Sequence, residues 1–308
     1  MKISSKSIKK KAEELGFQKV GIARAEKTPK EKSDLDSWLM QGNHATMDWI
    51  TKRKDERGNI HTYFPEARSV IAVGMNYYTG KDQGDLSSDY RFSNYAWGDD
   101  YHIVLKKRLY QLLNWVTENN SNVKGLVCVD TSPVMDKVWA QRAGIGWLGK
   151  HTNLISRDHG SWIFLGELIL DLKLEYDAPF EEDLCGTCMA CIESCPTQAL
   201  GEYKIDARKC ISYLTIEHKG DLPEGNSDLH GWIYGCDICQ DVCPWNEKFA
   251  IKTDVDEFKP RKEIVDFKKD DWDNLSEEDF KKLFKGSAVK RTKHIGLKRN
   301  IGQNSEEL

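Results

Sequence analysis

The chain has 308 residues, 39% of them hydrophobic, with ten tryptophans and eleven tyrosines, which is enough for one large or two ordinary domains around a sizeable core. Its 49 acidic and 45 basic residues leave a net charge of −4, so bulk charge advertises no polyanionic partner, although local charge can still do so. The lysine-rich start MKISSKSIKKKAEELGF lacks the apolar run of a secretory signal, and no stretch approaches the ~20 apolar residues of a membrane span. A cytoplasmic chain that touches no membrane is expected, in a compartment where clustered cysteines point to metal rather than disulfides.

In chain order, SSKSIKKKAEELG (4–16) reads as a serine-capped helix closed by Gly16, and FQKVGIARA as a strand. Helical stretches follow around KSDLDSWLMQG and ATMDWITKR. RSVIAVGMNYY is a continuous apolar run, as expected of a strand buried on both faces. DDYHIVLKKRLYQLLNWVTENN has apolar residues at helical spacing. GLVCVD is another buried strand, in which Cys128 reads as a small buried hydrophobe. SPVMDKVWAQRAG is a helix with Ser132 as N-cap and Pro133 at its first position. SWIFLGELIL closes the set as a long apolar strand. Strands alternating with helices over residues 1–178 predict an α/β (mixed α+β) domain.

At YDAPFEEDLCG the pattern changes, and residues 179–250 hold eight of the nine cysteines. Cys185, Cys188, Cys191 and Cys195-Pro196 form C-x2-C-x2-C-x3-C-P, the run of bacterial-type two-cluster ferredoxins. Cys236, Cys239 and Cys243-Pro244 repeat the ending, with Cys210 displaced upstream. In such runs the fourth cysteine ligates the other cluster. The crossing rule therefore predicts one [4Fe-4S] cluster on Cys185, Cys188, Cys191 and Cys243, and a second on Cys210, Cys236, Cys239 and Cys195. Structural zinc is the alternative, but zinc sites rarely need eight thiols with two C-P endings. Residues 251–308 add a charged stretch, a helix at SEEDFKKLFKG and a basic tail. No GxGxxG opens a helix after a strand, and DLHGWI lacks the last glycine of the cobalamin-ligating D-x-H-x-x-G.

Five segments taken together, ERGNIHTYFPEARSVIAVGMNYY, RFSNYAWGDDYH, VDTSPVMDKVWAQRAGIGWLGK, the ferredoxin run and YGCDICQDVCPWN, resemble epoxyqueuosine reductases. The resemblance implies two [4Fe-4S] clusters, a base-off cobalamin bound by the N-terminal domain, and reduction of the epoxide of epoxyqueuosine at the wobble position of tRNA, giving queuosine. It also implies an external low-potential electron donor and a monomer. Many members carry a C-terminal helical-repeat extension, which would begin where this chain ends. For the corrin, the resemblance points to Arg57, Ser93, Asp130, Leu154, Leu165, Ser212, Cys236 and Asp237.

For the proton that the departing oxygen needs, Asp130 is the candidate. It ends a buried strand, at the edge where α/β sheets place ligands, and the family's proton donor falls on this aspartate of VDTSP. Ser132 is expected to fill the competing capping role, and burial beside a corrin to raise the carboxyl's pKa. Residues 281–308 carry eight basic residues against two acidic ones, a local charge of +6. Lys290, Arg291 and Lys293, with Lys219 in the cysteine insert, are candidate phosphate contacts. Two other functions fit the same cysteines: a cobalamin-dependent reductive dehalogenase, which usually carries an export signal, and a ferredoxin-type electron carrier.

Overall fold

The computed structural model describes residues 3–225 and 228–305; Glu306 and Glu307, the acids counted in the basic tail, lie outside them. Helix α1 (Ser5–Glu14) starts in a capping box between Ser4 and Ser7, and the chain turns out of it at Gly16, whose φ of +86° suits glycine. Strand β1 (Lys19–Arg24), helix α2 (Pro29–Met40), strand β2 (Ser69–Asn76) and the short strand β3 (Arg91–Phe92) follow. Then come α3 (Tyr101–Asn119), β4 (Gly125–Cys128), α4 (Asp136–Arg142), the hairpin β5 (Trp147–Leu148) and β6 (Leu154–Ile155), and β7 (Ile163–Leu170).

The main sheet has the order β1-β2-β7-β4, and every neighbouring pair is antiparallel. Alternation of strands and helices pointed to an α/β arrangement, whereas the sheet is mixed with helices but contains no parallel pair. The reason is that β7 enters between β2 and β4, and each face is roofed by helices. Ile8, Ala12, Leu105, Leu109 and Leu112 of α1 and α3 pack with Ile22, Ile71, Val73 and Leu168 on one side. Trp139 and Ala140 of α4 pack with Val70, Ala72, Cys128 and Ile169 on the other. Burial on both faces makes the apolar runs continuous, and a continuous run carries no information on strand direction. Cys128 is fully buried there, as the sequence implied.

Helix α4 also begins later than its sequence suggests. Its N-cap is Met135, without a side-chain bond, and Ser132 caps nothing. A helix starting at Pro133 would use the Val134 carbonyl to accept from Val138. Arg57 Nη1 takes that carbonyl instead, at 3.2 Å. Residues 129–135 are therefore a loop, and Asp130 sits in it at φ +49°.

The cysteine-rich segment contributes the short helices α5 (Ala190–Glu193), α6 (Ile211–Ile216), α7 (Ile238–Asp241) and α8 (Pro244–Phe249), and strand β8 (Trp232–Tyr234), which runs parallel beside β3. The C-terminal part supplies α9 (Glu277–Leu283), capped by Ser276, and α10 (Lys293–Ser305). Packing crosses the boundaries at 178 and 250. One core combines Phe92 and Trp97 with Tyr234, Trp272, Phe284, Leu297 and Ile301. Asn300 and Asn304 of α10 are buried and donate to the carbonyls of Thr215, Ile233 and Trp232. Helix α10, within the basic tail, is thus docked on the cysteine-rich segment.

Candidate active site and cluster cavities

Asp130 projects from the loop after β4, and its side chain is 53% exposed. Its Oδ2 lies 3.0 Å from Nε2 of His102, in the first turn of α3. The other ring nitrogen, Nδ1, is 2.7 Å from Oδ1 of Asp100, the residue that caps α3 through the His102 backbone N–H. Burial alone would push the His102 imidazole down, but hydrogen bonds and charge from Asp100 and Asp130 outweigh it and raise its pKa to about 9. His102 is therefore an imidazolium at neutral pH. Burial likewise pushes the Asp130 carboxyl up, and the His102 bond and charge, with a bond from the Tyr101 hydroxyl, hold it below the usual carboxylate range. Among the protein's own groups it is the His102 bond and charge that set this direction. Sequence reasoning passed over His102, although an aspartate pair with a histidine two residues on, at a helix start, was visible in GDDYH.

Behind this loop lies a second carboxyl pair. Glu167, in the middle of β7 opposite Cys128, is fully buried, and neither carboxyl oxygen finds a hydrogen-bond partner among the described residues. Asp136 Oδ1, at the start of α4, is in the same state. Desolvation first raises both pKa values, Asp136 to about 7 and Glu167 well above the ordinary range; after it, the Asp130 charge adds to the rise of Asp136 and the Asp136 charge to that of Glu167. A glutamate inside the apolar run FLGELIL was the sequence signal for it. A folded-state pKa raised above the unfolded one stabilises at low pH and loses that contribution as pH rises through the folded value. Thermal unfolding of Glu167→Gln beside the unaltered protein, from pH 5.5 to 8.5, should therefore show the variant gaining in relative midpoint as pH rises. Parallel curves would mean that Glu167 titrates in the folded protein as it does in the unfolded chain.

The eight cysteines gather around two cavities. Cys185, Cys188, Cys191 and Cys243 line one of about 230 Å³, together with Lys150, His151, Ile155, Leu184, Pro244 and Trp245. Cys195, Cys210, Cys236 and Cys239 line a tighter one of about 40 Å³ with Pro196, Ile211 and Ile238. These are the two sets that the crossing rule predicts. Burial pushes the thiols of Cys191, Cys210, Cys236, Cys239 and Cys243 up, so a bound cation is needed to hold them as thiolates. Among the described residues no group of three or more His, Cys, Asp or Glu side chains is placed to hold a single metal ion. Four sulfurs spread over the wall of the larger cavity suit a multinuclear cluster better than zinc.

Residues 184–246 match the family model of the 4Fe-4S double cluster binding domain, and residues 57–131 match that described as epoxyqueuosine reductase QueG, DUF1730. The chain is 46% identical over 302 residues to an epoxyqueuosine reductase of Leadbetterella byssophila, covering 98% of each, and 44% identical to one from Synechocystis, covering 92% of this chain and 99% of that one. It belongs to the epoxyqueuosine reductase family. Its fold superposes with TM-score 0.88, at 28% identity, on a crystal structure of epoxyqueuosine reductase with an epoxyqueuosine-modified tRNA-Tyr stem loop, covering 97% of this chain and 80% of that one. A Bacillus subtilis epoxyqueuosine reductase with its catalytic aspartate loop swung out of the active site superposes with TM-score 0.86 at 26% identity, with the same coverage.

As a member of this oxidoreductase family, the chain can be asked where its expected cobalamin contacts fall. Arg57 is partly buried, with its guanidinium 5.5 Å from the Trp49 ring centroid and its Nε buried without a partner among the described residues. That orphaned donor fits a corrin amide. Leu165 and Ser212 are half-buried, and Leu154 is buried in the second core. Ser93 and Asp237 are spent on each other: Ser93 Oγ donates to Asp237 at 2.5 Å, and the carboxylate also accepts from the Asn94 backbone and side chain. Their side chains tie the cysteine-rich segment to the N-terminal domain, which leaves backbone groups there for any cofactor contact.

The expected tRNA contacts come together on one face. Arg291 is bonded by its Nε and Nη2 to Glu217, and Arg299 donates to the carbonyls of Leu214, His218 and Gly220, pinning the loop that carries Lys219 against α10. Lys219, Lys290 and Lys293 are exposed, and among the described residues they have no ion-pair partner. The Arg291 charge also acts on Asp130, so these two side chains lie within electrostatic reach of each other. Lys298 donates to the Asp273 carbonyl, so part of the tail's charge is consumed internally.

Proposed function

We propose that the chain reduces the epoxide of epoxyqueuosine at the wobble position of tRNA to queuosine, the last step of queuosine formation, with two [4Fe-4S] clusters and a cobalamin. The observation that carries this reading is the solvent-facing Asp130 at the sheet edge, 3.0 Å from His102 Nε2, in a chain eight of whose cysteines gather around two cavities. Converting an epoxide to an alkene consumes two electrons and two protons and releases the oxygen as water. When bound, the clusters pass on electrons from an external low-potential donor and reduced cobalamin delivers them to carbon.

The protein's own residues supply one of the two protons, and solvent supplies the other. Asp130 faces the departing oxygen, and His102 is loaded with the proton that Asp130 passes on. Substrate that covers Asp130 removes its water and raises its pKa, which moves the proton from His102 Nε2 to the carboxylate and from there to oxygen. Asp100 holds the imidazole ring and restores its charge preference. Arg57 and the backbone near Cys236 and Asp237, with Leu154, Leu165 and Ser212, would hold the corrin.

The direct test is to incubate purified, reduced, cobalamin-loaded protein with tRNA containing epoxyqueuosine and to analyse its nucleosides. Queuosine is expected; unaltered epoxyqueuosine would overturn the reading. The tRNA face has its own test. Neutralising Lys290, Arg291 and Lys293 together should weaken tRNA binding and lower the slope of log affinity against log salt by roughly one unit per phosphate released from the protein. Arg291 is already paired with Glu217, so a decrease nearer two units than three is the expected outcome. An unchanged slope would free this face of any role in phosphate binding.

A further inference from the structure

One buried histidine has no part in the chemistry above. His151 sits in the tip of the β5–β6 hairpin and is 3% exposed. The tip is tightly held. Gly149 N–H donates to the Asn153 carbonyl, Thr152 N–H to the Gly149 carbonyl, and Lys137 Nζ donates to the Thr152 carbonyl at 2.9 Å and to Asn153 Oδ1 at 3.0 Å. A side chain at Gly149 would meet Ile155 Cδ1 at 2.5 Å, so glycine there lets the turn close.

The ring's tautomer follows from its contacts. His151 Nδ1 accepts from the Asn153 backbone N–H at 3.1 Å. An accepting ring nitrogen carries no proton, so in the neutral imidazole the proton is on Nε2. That Nε2 is buried and has no hydrogen-bond partner among the described residues. The same side chain lines the cavity walled by Cys185, Cys188, Cys191 and Cys243. The cavity's other lining side chains are apolar, apart from Lys150, itself a donor. The four sulfurs are therefore the acceptors on offer to this N–H. A ring that accepts at Nδ1 and ligates iron through Nε2 would have to lose its last proton, so the geometry makes His151 a hydrogen-bond donor and not a ligand.

We propose that His151 donates its Nε2–H to a sulfur of the cluster bound by Cys185, Cys188, Cys191 and Cys243, and thereby raises that cluster's reduction potential relative to its neighbour. One-electron reduction adds negative charge that spreads onto the sulfurs, and a fixed donor stabilises the reduced form more than the oxidised one. The proposal rests on the two-cluster reading, and its test separates the two. Anaerobically purified, cluster-loaded protein and its His151→Leu and His151→Gln variants are analysed for iron and titrated with a one-electron reductant under EPR.

With iron retained at about eight atoms per chain, His151→Leu should lower one of two midpoints. The ratio of reduced to oxidised cluster at that midpoint should drop about tenfold, about 59 mV for a one-electron couple. The other midpoint should stay, and His151→Gln, which keeps a donor, should recover part of the shift. Pulsed EPR of protein labelled with 15N-histidine should show a nitrogen coupled to the reduced cluster. Intact iron with neither midpoint moved, or with both moved equally, would overturn the proposal. Iron well below eight in the unaltered protein would instead sink the two-cluster reading. Should His151→Leu lose iron, the 15N measurement on the unaltered chain decides, and an absent coupling rejects the donor.

Discussion

Asp130→Asn should lower single-turnover formation of queuosine by about 10²- to 10⁴-fold, the usual loss on removing a general acid. The substitution keeps the side chain's shape, and asparagine tolerates the left-handed backbone at φ +49°, so the loop is expected to keep its path. Pre-reduced enzyme makes the measurement independent of electron supply. Cluster content, corrin binding and tRNA binding should be unchanged, and near-normal turnover would remove Asp130 from the chemistry. His102 gives the same idea a pH signature. Its pKa is raised to about 9, so the proton store is full below that value and empties above it. The single-turnover rate should fall as pH rises through about 9. In His102→Gln the fall should come at lower pH, because Asp130 loses the partner that reloads it. A profile that does not move would assign the limiting proton to another group.

Cys243→Ala should abolish turnover under continuous reduction by removing the cluster that Cys185, Cys188 and Cys191 share, although 52 residues separate Cys243 from Cys191. Iron should fall from about eight to about four atoms per chain, with the remaining EPR signal belonging to the set of Cys195, Cys210, Cys236 and Cys239. The reason is topological. Cys243 closes the wall of the larger cavity beside Pro244 and Trp245 and packs against Trp147 and Ile155, whereas Cys236 and Cys239 of its own motif line the smaller cavity. Loss of the other cluster alone would show that the ligands do not cross.

The sequence by itself determined what depends on spacing and on local preference. Two C-P-terminated cysteine runs with a displaced Cys210 specify which sulfurs can meet, because short loops reach three corners of a cubane and the rigid C-P ending sends the fourth cysteine away. Apolar runs such as SVIAVGMN and IFLGELIL marked the central strands, and the serine cap at Ser4 marked the start of the first helix. Asp130 was legible as well, from its place after a buried strand and from the segment around it. Only the tertiary structure decided the rest. Strand direction is invisible in runs buried on both faces, so the antiparallel order β1-β2-β7-β4 could not be read from alternation. Arg57 reaches across 77 residues to take the Val134 carbonyl, and this long-range bond, which no local propensity encodes, turns the expected first turn of α4 into the Asp130 loop. His102 becomes an imidazolium because the fold sets two carboxylates against it, one of them 28 residues away. The basic tail was read by its charge alone, yet Leu297, Asn300, Ile301 and Asn304 recur on one face of α10 and bury it against β8. Charge and spacing are local properties of a chain. The proton on His102, the tautomer of His151 and the direction of a strand are set by neighbours distant in sequence, which is why they had to await the fold.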